Sequence, residues 1–238
     1  MDDGWGIRLQ SPLSVPGVWP PVDEALRVQI APSLAQVSVV VTGATGTTLD
    51  LNYKGLPGNQ PTTYQNFVAV WQGTIVPWNQ PPMRVMKIPG NFVEGSLVVD
   101  GVQIAELAYT VGYSVGPVVT DICASAILGV GAQTGPTDSA SLSLNRVGTT
   151  SVSVHYSVLD GYLPATNHNW LGLWTGRVSP YAAPPLLARA PVPLDMSAGD
   201  VGFNGVVMTR GTTYTLAYFM GEDATTAAAI LTFTTDDA

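Results

Sequence analysis

Few residues in this chain have side chains suited to catalysis. It contains 2 His and 1 Cys among 238 residues. Nucleophilic catalysis places a Ser or Cys beside a His that is oriented by a carboxylate. His155 falls in a strand-like stretch and His168 in a polar loop, and no G-x-S-x-G elbow is present. The sequence therefore predicts no catalytic residues and a protein that is not an enzyme. A hydrolase that uses loop carboxylates is the alternative.

Metal and cofactor sites are not predicted either. Two His and one Cys are too few for a Cys/His zinc cluster, and the carboxylates are scattered along loops. The Gly-rich stretch 43–48 lacks the Gly-Lys-Ser/Thr ending of a phosphate-binding loop, so we expect a hairpin loop there. Cys123 lies in an apolar stretch and is expected to be a small buried side chain. We expect no cofactor and no metal.

Two loops carry the best candidate binding residues. Trp78 and Tyr181 each stand between prolines, and Asn79 and Gln80 follow Trp78 directly. An aromatic ring on a proline-stiffened loop loses little freedom on binding, and neighbouring amides suit a sugar or a peptide. The alternative is that both rings fold back and close the edge of the domain. Further candidates precede the same central strand that each aromatic loop follows: Tyr64, Asn66, His168 and Asn169.

These loops recur because the chain contains an internal duplication. A shift of 103 residues gives 11 identities in the 30 positions from 53 to 82 without a gap, whereas unrelated sequences would give roughly two. The identical pairs are Tyr53/Tyr156, Leu56/Leu159, Gly58/Gly161, Pro61/Pro164, Thr63/Thr166, Asn66/Asn169, Trp71/Trp174, Gly73/Gly176, Pro77/Pro180, Pro81/Pro184 and Pro82/Pro185. We expect repeats over 33–130 and 138–238, a turn-rich linker over 131–137 and a Pro-rich N-terminal arm over 1–32.

The elements that position these loops read as β-strands. Leu49, Leu51 and Tyr53 alternate with polar residues, which is typical of a sheet with one buried face. The stretches 66–71 and 169–174 are apolar on both faces, as expected of central strands, and we expect their tryptophans to pack between two sheets. The fold class predicted is all-β: two tandem immunoglobulin/fibronectin-III-like β-sandwiches.

One stretch resembles known immunoglobulin-like domains. Residues 169–174 read N-W-L-G-L-W and 213–218 read T-Y-T-L-A-Y. They resemble the pattern D-W-I-G-L-[FY] … Y-x-F-x-Y of SKICH domains and of the N-terminal Ig-like domains of purple acid phosphatases. Both repeats carry Asn, at 66 and 169, where these families often have Asp. The resemblance implies an accessory Ig-like sandwich and transfers no catalytic residue.

Composition narrows the function classes. Charged residues make up 11% of the chain, net charge is -8, and no basic cluster could neutralise phosphates, so nucleic-acid binding is not expected. No apolar run approaches the ~18 residues needed to span a bilayer. We expect a structural or protein-interaction module that assembles with itself or with a partner protein, with a carbohydrate-binding protein as the alternative. No signal peptide is visible, so we expect cytoplasmic synthesis, with non-classical export or association with a particle left open.

Overall fold

The structure is a computed structural model that describes residues 25–236. The described residues form sixteen strands and three short 3-10 turns, and contain no α-helix. The strands are β1 (Val28–Gln36), β2 (Ser38–Ala44), β3 (Thr48–Lys54), β4 (Phe67–Gln72), β5 (Arg84–Lys87), β6 (Glu94–Asp100), β7 (Tyr109–Ser114), β8 (Ile122–Leu128), β9 (Thr134–Ser139), β10 (Ser141–Val147), β11 (Ser151–Ser157), β12 (Trp170–Thr175), β13 (Ala188–Pro191), β14 (Ala198–Asn204), β15 (Thr213–Phe219) and β16 (Ala227–Thr235). The 3-10 turns are Val119–Asp121, Val130–Ala132 and Pro180–Ala182. The prediction of an all-β chain is confirmed.

The strands form four antiparallel sheets of two kinds. Two are three-stranded, with the orders β2-β3-β6 and β10-β11-β14. Two are five-stranded, with the orders β5-β4-β7-β8-β9 and β13-β12-β15-β16-β1. The two sheets of each kind have the same strand order, one built mainly from the first half of the chain and one mainly from the second. We call β2 to β8 the N-terminal half and β10 to β16 the C-terminal half.

The core lies between a three-stranded and a five-stranded sheet in each half. β2 contacts β7 and β8, and β10 contacts β16. In β3 the alternation read from the sequence is found, since Leu49, Leu51 and Tyr53 are buried while Asn52 is exposed. Cys123 is buried and unpaired, and residues 45–47 connect the hairpin of β2 and β3, as expected.

Two strands are exchanged between the halves. β1, which leads into β2 of the N-terminal half, pairs antiparallel with β16 of the C-terminal half, with Leu34 opposite Leu231. β9, which leads into β10 of the C-terminal half, pairs with β8 of the N-terminal half, with Ala124 opposite Ser139. The five-stranded sheet of each half is therefore completed by the strand that leads into the other half.

The chain passes from one half to the other at two places, Val37 after β1 and Ala140 after β9. The same kind of backbone hydrogen bond forms at both, and the two places contact each other. The Val37 amide donates to the Ala228 carbonyl at 3.2 Å, and the Ala140 amide donates to the Cys123 carbonyl at 2.7 Å. The Gln36 Nε2 donates to the Ala140 carbonyl at 3.1 Å, which links one crossing point to the other.

The predicted linker and arm need correction. Residues 131–137 were expected to be a turn-rich linker, but Thr134–Ser139 form β9. Gly and Pro are unfavourable in strands, yet the free edge of β8 supplies the hydrogen-bonding partners that make this segment extended. Of the expected arm at 1–32, residues 1–24 lie outside the described part of the chain, and 28–32 belong to β1.

The expectation that Trp71 packs between the two sheets is wrong. Trp71 lies with Phe67 and Ala69 on the side of β4 that faces away from the three-stranded sheet, while Val68 and Val70 face the main core. Side chains alternate along a strand, so the apolar character of both faces could not show which face the ring occupies. Leu159 from the C-terminal half covers this outer side.

Candidate functional site

The loop after the central strand is anchored by the strand's own tryptophan. In the N-terminal half the Trp71 Nε1 donates to the Gln80 carbonyl at 3.1 Å. In the C-terminal half the Trp174 Nε1 donates to the Pro184 carbonyl at 3.1 Å. Each indole thus fixes the far end of the proline-containing loop, and the aromatic residue in the middle of the loop is held in place.

Trp78 lies against the C-terminal half. Its Nε1 donates to the Asp160 carbonyl at 2.8 Å. Its ring meets Tyr162 edge-on, with 4.8 Å between centroids. Gly161 has φ +71, a backbone conformation that favours glycine, and a Cβ added there would lie 3.5 Å from the Trp78 Cδ1. We call the contact between 73–82 and 159–163 the seam.

Tyr181 makes the matching contact with the N-terminal half. Its ring stacks on Tyr64 with 5.6 Å between centroids, while its hydroxyl donates to the Ala227 carbonyl of its own half at 3.2 Å. Gly58 lies beside this ring with φ +91 and would bring an added Cβ within 2.8 Å of the Ser179 Oγ. Trp78 and Tyr181 therefore bridge the halves, and Tyr64 is a half-buried part of the same contact.

A cavity of about 500 Å³ opens at the seam. The predicted residues Trp78, Asn79 and Gln80 line one side of it, and Asp160, Gly161 and Leu163 line the other. A smaller cavity of about 130 Å³ adjoins it and shares Ile75, Val76 and Asp160 with it. The structure thus brings three of the eight predicted residues together around one cavity, with partners from the other half that the sequence did not indicate.

Two of the predicted residues are buried structural groups rather than accessible ones. The Asn66 Nδ2 donates to the Tyr113 hydroxyl at 3.1 Å. The Asn169 Nδ2 donates to the Tyr218 hydroxyl at 2.8 Å, and its Oδ1 accepts from the Tyr162 hydroxyl at 3.0 Å. Both side chains lie under the loop before the central strand, so they hold that loop to the core and are corrected from binding to structural residues.

His168 occupies an exposed position in an unusual backbone conformation. It has φ 57, and Gln65, its counterpart in the repeat, has φ 58. A positive φ is uncommon outside Gly, so the two loops keep the same backbone geometry with different side chains. His168 lines neither of the two cavities at the seam.

A row of polar residues on the outer face of β10-β11-β14 was not found from the sequence. Ser143, His155 and Asp200 lie opposite one another on neighbouring strands. His155 Nδ1 and Asp200 Oδ1 are 2.8 Å apart, and the Asn145 Nδ2 donates to the same oxygen at 2.9 Å. These hydrogen bonds lower the pKa of the Asp200 carboxyl. The sequence does not show that β14, more than 40 residues further along the chain, pairs with β11 and brings Asp200 beside His155.

This row resembles a nucleophilic triad in composition but not in setting. The His155 and Asp200 side chains are 44% and 62% exposed on an open sheet face. Triad catalysis depends on donors aimed at a developing oxyanion in a site that excludes water, whereas this row is open to solvent. It is a cross-strand hydrogen-bonded pair on a polar face.

One buried carboxyl lies where the two halves meet. Burial raises the pKa of Asp121 to about 6, the Val118 amide bound to its Oδ2 lowers it, and repulsion from Asp223 adds to the rise. Nearby, the Tyr162 hydroxyl lies 2.8 Å from the Thr120 carbonyl, which joins the two halves again. Within residues 25–236, no group of three or more His, Cys, Asp or Glu could hold a metal ion.

Comparison with known proteins gives little. No family model matches the sequence, and no curated protein matches it. Among solved structures, the chain is similar to a biofilm associated protein BSP domain, at 10% identity and a TM-score of 0.26. That match covers 85% of this chain and 30% of the other. A TM-score this low carries no argument about fold or function.

The seam remains the best candidate site on geometry alone. It combines an aromatic ring, two amides and a carboxylate at a cavity, whereas the other predicted residues are buried, stacked or isolated.

None of the helical segments in the described residues has the length and apolar character needed to cross a bilayer.

Proposed function

We propose that this protein is a non-catalytic structural and protein-interaction module that assembles with itself or with a partner protein. We infer that each half is an immunoglobulin/fibronectin-III-like sandwich derived from the internal duplication. The orders β2-β3-β6 and β5-β4-β7-β8 support this inference, since a three-stranded sheet packs on a four-stranded one before the exchanged strand is added. The open setting of the Ser143–His155–Asp200 row supports the absence of catalysis.

The observation that carries the proposal is a pair of exposed apolar turns. Phe92, in the turn before β6, is 71% exposed. Leu194 and Met196, in the turn before β14, are 58% and 55% exposed. The turns follow Pro89 and Pro193, so they hold corresponding positions in the two halves. A single exposed apolar side chain is common, so it is the recurrence at corresponding positions that we take as the sign of a contact surface.

Both turns are held by side-chain hydrogen bonds. The Asn91 Oδ1 accepts from the Thr62 amide at 2.9 Å and the Thr63 amide at 3.1 Å. The Asp195 Oδ1 accepts from the Thr166 amide at 2.8 Å, and its Oδ2 accepts from the Thr166 hydroxyl at 2.7 Å. A fixed turn loses little conformational entropy on binding, which favours use of these apolar residues as anchors.

Light scattering across a concentration series tests the proposal. We expect a defined oligomer, or a complex with a recovered partner, that is lost in the variant Phe92→Ser/Met196→Ser. The matched control is Val207→Ser, because Val207 is 72% exposed but lies outside both turns. A monomer at every concentration with no partner recovered, or turn variants that associate like the wild type, contradicts the proposal.

A further inference from the structure

We propose that the seam binds a neutral oligosaccharide, in one site that the two halves build together. The site uses the cavities at the seam and none of the residues of the apolar turns. It therefore goes beyond the interaction role proposed above and can succeed or fail independently of it.

The site has the size and shape of a small-ligand groove. The larger cavity of about 500 Å³ falls within the ~300–1,000 Å³ typical of ligand sites. The smaller cavity continues it past Ile75, Val76 and Asp160. A ligand of several linked rings could lie along the two cavities in succession, whereas a single compact molecule would occupy only one.

The groove has an aromatic wall that is set before any ligand arrives. The hydrogen bond to the Asp160 carbonyl and the edge contact with Tyr162 fix the plane of the Trp78 indole. The exposed side chains of Ile75 and Leu163 flank it on the two sides of the seam. A fixed ring with apolar neighbours suits the C–H face of a sugar, and its preorganisation reduces the entropy lost on binding.

The polar groups along the groove suit a ligand rich in hydroxyls. In the described part of the chain, the side chains of Asn79, Gln80 and Asp160 form no hydrogen bond. Thr74, Ser125 and Thr137 add three hydroxyl groups along the smaller cavity. Amides and hydroxyls both donate and accept, and a carboxylate accepts, so together they match the dense hydroxyls of a saccharide. A peptide, with one N–H and one C=O per residue, would satisfy fewer of them.

The charge of the groove favours a neutral ligand. Neither cavity is lined by a Lys or Arg, and the charged residues that line them are Asp138 and Asp160. Two carboxylates without a cation disfavour a phosphate, a sulfate or an acidic sugar by repulsion.

The matching position in the C-terminal half lacks this chemistry. The duplication places Ala182 and Ala183 where Asn79 and Gln80 stand, and Pro57 where Asp160 stands. There the Tyr181 ring stacks on Tyr64 rather than lining the groove. The expectation of one site in each repeat therefore becomes one site for the whole chain.

Affinity electrophoresis of the full chain tests the site. The probes are native gels containing soluble neutral polysaccharides: dextran, arabinoxylan, mixed-linkage β-glucan or galactomannan. We expect at least one of them to slow the wild type. The variant Asn79→Ala/Gln80→Ala, which changes two exposed side chains, should weaken that retardation about tenfold or more, since each lost hydrogen bond contributes a few-fold.

A matched pair of aromatic variants separates binding from folding. Trp78→Ala and Tyr181→Ala each remove a ring that bridges the halves, but only Trp78→Ala should abolish retardation. Equal loss in both variants would assign the effect to the damaged contact between halves and overturn the site. No retardation by any polysaccharide, or binding of a proline-rich peptide library that Trp78→Ala removes while polysaccharides have no effect, would overturn it as well.

Discussion

At the scale of single residues, the buried Asp121 carboxyl makes stability depend on pH. Its pKa of about 6 lies above the ordinary value of 3.8 because the folded protein buries the carboxyl. The folded state therefore binds more protons than the unfolded state between about pH 4 and 6. This group's contribution to the free energy of unfolding falls as the pH rises through that window and stays low above it.

The variant Asp121→Asn should show how much the buried charge lowers the free energy of unfolding. It removes the charge and keeps an oxygen for the Val118 amide. We expect the variant to be more stable than the wild type by about 2 to 3 kcal/mol at pH 7.5, from ~1.4 kcal/mol per pKa unit. The difference should shrink toward zero near pH 4. Urea unfolding at a series of pH values measures it.

The neighbouring acid supplies the control for this pH effect. Asp223→Asn removes a like charge from an exposed position, so it should have a smaller effect with the same sign. If Asp121→Asn instead loses stability equally at pH 7.5 and pH 4, the prediction is contradicted. The carboxyl would then act only as a hydrogen-bond acceptor, and its charge would not lower the free energy of unfolding.

The sequence indicates where a residue lies along the strands and loops better than it indicates whether its side chain is buried or accessible. Asn66 and Asn169 precede central strands in polar loops, which suggested accessibility. Their partners, Tyr113 and Tyr218, lie 47 and 49 residues further along the chain, and only the folded strands bring them together. Trp78 was identified as a special residue, but Asp160 and Leu163, across the seam, carry no local signal.

At the scale of elements, the exchange of β1 and β9 can be tested by cross-linking. Ala35 lies opposite Ile230 in the pairing of β1 with β16. Adjacent strands place opposite Cα atoms about 4.5–5.5 Å apart, within reach of a disulfide. In a Cys123→Ala background, we expect Ala35→Cys/Ile230→Cys to form an intramolecular disulfide on mild oxidation, detected by peptide mass spectrometry.

A second cysteine pair gives the comparison for β1. Ser125 holds in β8 the position that Ile230 holds in β16, because Ser125 lies opposite Asp138, the counterpart of Ala35 under the shift of 103 residues. The variant Ala35→Cys/Ser125→Cys should stay reduced under the same conditions. A disulfide in this second pair and none in the first would place β1 on its own half and exclude the exchange.

Strands with a strong alternating pattern were predictable, while the exchanged ones were not. Leu49, Leu51 and Tyr53 mark β3 because one face is buried and the other is wet. The segment that forms β9 contains Gly135 and Pro136, which are typical of turns. It becomes a strand because β8 offers a free edge, and the sequence alone does not show which edge is free.

At the scale of the whole molecule, the exchanged strands should make the two halves unfold together. Unfolding of either half removes an edge strand from the other half's sheet, so partly unfolded states expose both cores. We expect one transition in differential scanning calorimetry. Leu142→Ala, which opens a cavity in the C-terminal half, should lower that single midpoint by an amount that reflects roughly 2–5 kcal/mol.

The duplication provides the matching core variant. Val39 occupies in β2 the position of Leu142 in β10, and both are buried. Val39→Ala should shift the same single transition, by less, because a smaller side chain is removed. Two separate transitions, each moved by only one of the variants, would show that the halves unfold independently.

The similarity between the two sequence segments can be read from the sequence, but the contact between them cannot. Eleven identities in thirty positions predict that the two repeats share one fold. They do not show that Trp78 and Tyr181 bridge the repeats, because a contact between repeats leaves no mark in an alignment of one repeat with the other.

The pairing of β1 with β16 sets a long delay during synthesis. Val28 lies opposite Thr235, about 200 residues further along the chain. At the usual ~5–20 residues per second, a ribosome needs roughly 10–40 s to supply that partner. For all of this time the first strand is an unpaired edge-forming segment in a growing chain. Pro32, near its middle, has no amide proton to donate and so limits pairing with the wrong strand while the right one is still being made.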